Sequence, residues 1–235
     1  MEQLKHNNYK ADAKERIEKK ILKLDLSNKE TRSILNSLGP LELPKLNDLT
    51  LKMQGKLEEN DEKNEVMKII KNSFPAQVLS LEVKTEENVE IGYWLDILKS
   101  AAQRVKYRIY INNFNASLDV LDEALKAFSN TKRIYFMCGK IDANIGDLDN
   151  SIYKDSKIRI WAFTRIQFNE TKDTELIIKK IARHRALKSS LQELWFMKLD
   201  IPDTENRFKN QVHMSIKAEG YKNIKKVKFK KNDYS

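Results

Sequence analysis

The segment Arg108-Ile-Tyr-Ile111 recurs 25 residues later as Arg133-Ile-Tyr-Phe136, and this recurrence decides the fold predicted from the sequence. Each segment alternates side chains in the manner of a strand that buries one face. Similar short runs occur along the whole chain, at residues 22–26, 46–51, 78–83, 157–161, 191–196 and 224–229. Their central residues are separated by 29 residues on average, so the sequence predicts about eight strand repeats.

Segments with helical spacing lie between these runs. In residues 91–102 the apolar side chains fall at i, i+3, i+4 and i+7, which places them on one face of a helix. We predict further helices at residues 11–20, 60–71, 118–128 and 174–187. The predicted repeating unit is therefore strand, loop and helix.

The stretch Leu22-Lys-Leu-Asp-Leu-Ser-Asn28 resembles the L-x-L-x-x-N consensus of leucine-rich repeat proteins, and the repeat length resembles their ribonuclease-inhibitor-like subclass. Asn113 or Asn112 stands where a repeat asparagine would satisfy backbone groups. The resemblance implies an α/β fold: a leucine-rich-repeat solenoid, or horseshoe, of about eight repeats with a parallel concave sheet. It implies a single domain over residues 1–235, with an N-terminal helical cap at 1–20 and a basic C-terminal cap at 217–235.

An ordinary doubly wound α/β sheet, with helices on both faces, is the alternative. Strands buried on both faces are longer and uniformly apolar, whereas these runs alternate. The alternation therefore favours the solenoid.

The alternation also predicts a functional surface. If Ile109, Ile134, Ile158 and Ile160 face the core, the residues between the apolar positions point to the concave face. Tyr, Trp, Met and Arg dominate there, and these residue types are enriched at protein interfaces. We predict a partner-binding site made of Arg108, Tyr110, Arg133, Tyr135, Met137, Arg159, Trp161, Phe163, Trp195 and Met197. A register error of one residue in any strand would instead move its aromatic side chains into the core.

The formal net charge is +10, from 44 Lys and Arg against 34 Asp and Glu. Two basic groups are candidate contacts for an anion or a nucleic acid. They are Lys179, Lys180, Arg183 and Arg185 in a predicted helix, and Lys226, Lys228 and Lys230 near the C-terminus. A nucleic-acid-binding subunit that also uses aromatic stacking is the alternative function, although no RNA-binding, zinc-finger or helix-turn-helix motif is present.

No catalytic constellation is recognisable in the sequence. His6, His184 and His213 lack the spacing of metal ligands, and Cys138 is the single cysteine. We therefore expect no enzyme activity, no cofactor and no metal. The predicted function is a non-catalytic interaction or scaffold subunit of a larger assembly with protein partners. No apolar run is long enough to span a membrane, and we expect an intracellular location, cytoplasmic or nuclear, with an organelle left open.

Overall fold

A computed structural model describes residues 21–26, 28–37, 46–53, 60–73, 78–142, 156–168, 190–199 and 205–230. Eight strands form one sheet, in which every strand pairs in parallel with its neighbours in the chain. The strands are β1 Ile21–Asp25, β2 Leu46–Met53, β3 Val78–Glu90, β4 Val105–Ser117, β5 Arg133–Asp142, β6 Ile160–Phe168, β7 Glu193–Met197 and β8 Lys226–Lys230.

Five helices connect these strands in the described part of the chain. They are α1 Lys29–Ser37, α2 Asn60–Ser73, α3 Ile91–Ala102, α4 Leu118–Ala127 and α5 Glu205–Ala218. The helices predicted at 11–20 and 174–187 lie outside the described residues. The prediction of an N-terminal cap at 1–20 lies outside them too, whereas residues 217–230 of the predicted C-terminal cap contain the end of α5 and all of β8.

The helices share one face of the sheet because the strands follow in chain order and parallel crossovers are right-handed. Buried residues of α3 and α4, such as Ile97 and Leu121, belong to one apolar cluster with Ile109 and Ile134 of the sheet. A doubly wound sheet needs a reversal of strand order to place helices on both faces. The eight described strands contain no such reversal, so the fold is an α/β arrangement compatible with a solenoid.

Two rows of in-register side chains form the sheet side of the core. One row contains Ile109, Ile134, Trp161, Leu194 and Val227, and the next contains Ile111, Phe136, Phe163, Phe196 and Phe229. In the second row, successive phenylalanine rings from β5 to β8 stack with centroids 5.8 Å apart at each step. We call these four rings the phenylalanine ladder. Each stacked pair stabilises the fold by about 0.5–1.5 kcal/mol beyond the area that it buries.

A residue with a positive φ recurs at the same position in four consecutive strands, and we call this position the corner. Asn113, Cys138, Arg165 and Lys198 each follow the last residue of the paired strand core, and each has a φ between 53° and 55°. This left-handed conformation costs a residue other than glycine about 1–2 kcal/mol. Its recurrence at equivalent positions identifies the corner as part of the repeating unit.

Gly139, immediately after the corner of β5, is required by a close approach. A Cβ atom there would lie 2.5 Å from Cε1 and 2.7 Å from the carbonyl oxygen of Phe114, which is 1% exposed in the neighbouring strand. The glycine therefore makes room for a buried ring in the adjacent repeat.

Polar contacts link each described helix to the next at the start of the chain. The buried Arg32 of α1 donates to Glu65 of α2 at 2.8 Å and to the Leu26 carbonyl at 3.0 Å. Lys63 of α2 pairs with Asp96 of α3 at 2.8 Å. The hydrogen bond from Lys63 lowers the pKa of Asp96 below its usual value. Each of these helix–helix contacts joins two consecutive helices, so each repeat packs against the next repeat in the chain.

The same pattern continues from α3 to α4, where Lys99 pairs with Glu123 at 3.0 Å. Hydrogen bonds from Lys126 and then Lys99 lower the pKa of Glu123. Both pairs are partly exposed to solvent, so each contributes little to stability.

Asn28 begins α1 as its N-cap. Its side-chain Oδ1 accepts a hydrogen bond of 3.1 Å from the backbone N–H of Thr31, which has no helical partner of its own. Asn28 is the asparagine of the consensus-like stretch 22–28, and its side chain satisfies the Thr31 N–H group at the start of α1.

No helix in the described ranges is both long enough and apolar enough to cross a membrane.

The repeated corner predicts opposite responses to one pair of substitutions at two exposed positions of β6. At Arg165, φ is 53°, so the free energy of unfolding of Arg165→Val should be about 1–2 kcal/mol below that of Arg165→Gly. At Gln167, two residues on in the same strand, valine should be the more stable residue by about 1 kcal/mol. Urea unfolding of the four variants measures these differences. If valine were more stable than glycine at both positions, or less stable at both, the left-handed conformation of Arg165 would be contradicted.

Candidate functional site

The sheet has a second face, opposite the helices, that none of the described helices covers. We call this surface, over β4–β8, the open face. In the register of the strands it consists of three rows. The first row is Arg108, Arg133, Ile160, Glu193 and Lys226; the second is Tyr110, Tyr135, Ala162, Trp195 and Lys228; the third is Asn112, Met137, Thr164, Met197 and Lys230.

The predicted placement of Trp161 and Phe163 on this face is wrong. Both side chains are 0% exposed, and both belong to the core rows, because Trp161 pairs with Ile134 and Phe163 with Phe136. Ile160, predicted to face the core, is buried, at 6% exposed, but it lies in register with Arg133 in the first row of the open face.

The error arises where β6 begins. The carbonyl of Lys132 accepts hydrogen bonds from two successive N–H groups, those of Arg159 at 2.8 Å and Ile160 at 3.1 Å. The same arrangement recurs where β7 and β8 begin, at the carbonyls of Arg159 and Gln192, so it marks the start of each of these strands. The observed register of β6 differs from the predicted one by a residue, because Trp161 rather than Ile160 pairs with Ile134, and a shift of one exchanges the faces. Arg159 is exposed, but it precedes the strand and does not join Arg108 and Arg133 in the first row.

Three aromatic side chains form a continuous cluster on the open face. The rings of Tyr110 and Tyr135 stack with their centroids 4.6 Å apart, and Trp195 meets Tyr135 edge-on at 5.9 Å. Tyr135 and Trp195 lie two strands apart, a backbone separation of about 9.6 Å. Ala162 occupies the strand between them and is fully buried although it lies outside the core cluster. The small alanine side chain therefore lets the two rings meet above it.

Two neighbours hold the Trp195 ring in place. Its Nε1–H donates a hydrogen bond of 2.8 Å to Oε2 of Glu193, two residues earlier in the strand. The Lys228 ammonium group of the adjacent strand lies 3.6 Å from the ring centroid and 3.9 Å from the same carboxylate oxygen. Trp195 is partly exposed, and these two contacts fix the orientation of its ring.

Arginine side chains border the tyrosine end of the cluster. The Arg108 guanidinium carbon lies 5.7 Å from the Tyr110 ring centroid, and that of Arg133 lies 4.7 Å from the centroid of Tyr107. Burial of Tyr135 raises the pKa of its hydroxyl, an effect that the nearby Tyr110 adds to and Arg133 partly offsets. Tyr135 is consequently a neutral hydrogen-bonding group at physiological pH.

The third row is the more apolar border. Met137 and Met197 are partly exposed on either side of Thr164. Asn112, at the start of this row, is buried and donates a hydrogen bond of 2.6 Å to Glu82 of β3. The structure thus brings together Arg108, Tyr110, Arg133, Tyr135, Met137, Trp195 and Met197 of the predicted partner-binding residues.

The predicted basic contacts divide into two groups. Lys226, Lys228 and Lys230 end the three rows of the open face, one in each row. Lys179, Lys180, Arg183 and Arg185 lie outside the described residues.

Candidate metal ligands are scattered over the described ranges. No three His, Cys, Asp or Glu side chains there lie close enough together to hold a metal ion. Cys138 is a partly exposed free thiol at the corner of β5. An open cleft of about 490 Å³ between the C-terminal ends of α2 and α3 is lined mainly by Lys68, Lys71, Asn72, Gln103 and Arg104.

Sequence reasoning missed the roles of Ala162 and Glu193, which space and orient the aromatic side chains. The run from Ile160 to Phe163 is apolar in both phases, so alternation alone could not fix its register. A usable signal was the phenylalanine of each neighbouring repeat: aligning Phe163 with Phe136 and Phe196 gives the observed pairing.

Comparison of the chain with models of protein families, with curated proteins and with solved structures finds no match.

The two tryptophans of β6 and β7 should differ sharply in their contribution to stability. Trp161→Ala removes a fully buried ring and should lower the free energy of unfolding by about 3–5 kcal/mol. Trp195→Ala removes a partly exposed ring and its aromatic contact, with an expected loss below about 1.5 kcal/mol. Urea unfolding measures both, and equal losses would contradict the observed register.

Proposed function

We propose that the protein is a non-catalytic interaction or scaffold subunit that binds a protein partner on the open face. The observation that carries the proposal is the cluster of Tyr110, Tyr135 and Trp195 on a sheet surface that no described helix covers. Aromatic side chains with arginines beside them are the residue types that most often dominate binding energy at protein interfaces.

The contacts around the cluster support a rigid binding surface. Trp195 is held by Glu193 and Lys228, and Tyr135 is held between Tyr110 and Trp195. Side chains that are already ordered lose little conformational entropy on binding, so more of the contact energy appears as affinity. The backbone beneath them belongs to paired strands, which adds to this rigidity.

We propose further that the fold is a degenerate leucine-rich-repeat solenoid of the ribonuclease-inhibitor-like subclass. Support comes from the chain order of the parallel strands, from the corner repeated at equivalent positions, and from the capping role of Asn28 in the consensus-like stretch. In such a solenoid the open face would be the concave face that binds partners.

Nucleic-acid binding is the second candidate, favoured by the lysines that end all three rows in β8. Bases stack on free aromatic faces, however, and these faces are engaged within the chain. Tyr110 and Tyr135 stack on each other, and Lys228 lies over Trp195. The internal contacts therefore favour a protein partner.

Affinity capture from native extract with the immobilised full-length chain tests the proposal. Proteins retained by the wild type should be lost with Tyr135→Ala and with Trp195→Ala, and affinity for the purified partner should fall more than about tenfold. Lys68→Ala, an exposed position on α2, is the matched control and should retain the partner.

Thermal unfolding of each variant must stay close to that of the wild type for the comparison to be valid. A partner retained equally by all variants would place binding elsewhere on the molecule. The nucleic-acid alternative would be supported by two results together: nuclease removes the ligand, and its affinity falls steeply with the logarithm of the salt concentration.

A further inference from the structure

The charges of the open face are unevenly distributed. Its three rows over β4–β8 contain five basic residues, Arg108, Arg133, Lys226, Lys228 and Lys230, and one acidic residue, Glu193. In the same three register rows over β1–β3, the side chains that the structure describes are those of Asp25, Thr50 and Glu82, two of them acidic. The excess of positive charge therefore coincides with the aromatic cluster.

The one acidic residue, Glu193, reduces the net charge of these rows from five positive charges to four. Glu193 already accepts a hydrogen bond from Trp195 and lies 3.9 Å from Lys228. Its carboxylate is consequently directed at groups of the chain itself. A ligand that approaches the cluster meets the arginines at one end and the lysines of β8 at the other.

The two basic groups lie at opposite ends of the aromatic cluster. Arg108 and Arg133 lie on the strands that supply the two tyrosines, and the lysines lie one strand beyond Trp195. A linear ligand across the cluster would span five strands, a distance of about 19 Å. An extended segment of about six residues covers that distance.

We infer that the occupant of the open face is an acidic, extended peptide segment with an apolar centre. The inference rests on the proposed function of this face. Carboxylates at the two ends of the segment pair with Arg108 and Arg133 and with the lysines of β8, while its apolar side chains contact Tyr135 and Trp195. Such charge complementarity accelerates association and excludes basic or neutral competitors.

The test is a displayed library of random twelve-residue peptides, selected on the immobilised full-length chain and depleted on its Trp195→Ala variant. Peptides that survive both steps depend on the open face. Asp and Glu should be enriched among them, flanking apolar residues. Synthetic copies should bind the double variant Arg108→Gln, Arg133→Gln at least about tenfold more weakly.

The matched control is Lys68→Gln, Lys71→Gln, which removes the same charge from exposed positions of α2. Affinity for the selected peptides should stay within about twofold of the wild type, since screening weakens distant charges. A second variant, Arg108→Glu with Arg133→Glu, should shift selection away from acidic peptides, and it gives an answer even if the glutamine pair binds nothing.

The outcomes separate the inference from the function on which it rests. Peptides that need Trp195 and show no acidic enrichment overturn the inference and leave the proposed function standing. If no peptide distinguishes the wild type from Trp195→Ala, both are overturned. If the chain instead prefers a single-stranded oligothymidine of twenty nucleotides, and this binding depends on the two arginines, the inferred ligand of the open face would be a nucleic acid and not a peptide.

Discussion

In-register stacking of the phenylalanine ladder is the interaction on which the rest of the structure depends. Phe136, Phe163, Phe196 and Phe229 fix the pairing of β5–β8, because a shift of one residue would remove a ring from the row. Once that register is set, alternation decides which side chains reach the opposite face. The position of Trp195 beside Tyr135 is thus a consequence of the packing beneath them.

The open face combines features that a stable core alone would not require. Ala162 leaves space for two rings to meet, and Glu193 and Lys228 orient the tryptophan from either side. Aromatic contacts between neighbouring strands also stabilise sheets, so this cluster serves both the fold and the surface. What separates the two roles is exposure: Phe136, Phe163 and Phe196 of the ladder are buried and only Phe229 at its end is partly exposed, whereas all three rings of the cluster are partly exposed.

The repeat and most of the register could be predicted from the sequence because Ile109, Ile134 and Leu194 recur in alternating runs. Alternation could not fix the register of residues 160–163, since both phases of that run are apolar. The register follows only when Phe163 is aligned with the phenylalanines of the neighbouring repeats. The left-handed corners were equally hidden, because only one of the four residues there, Asn113, is a type that favours this conformation.

Pairing in chain order also sets a length. With eight strands side by side, β1 and β8 lie at opposite edges, about 34 Å apart along the sheet. The start of β1 and the end of β8 are therefore held at a separation fixed by the number of strands. The sheet therefore acts as a spacer, and gaining or losing one repeat would change its span by a single interstrand distance.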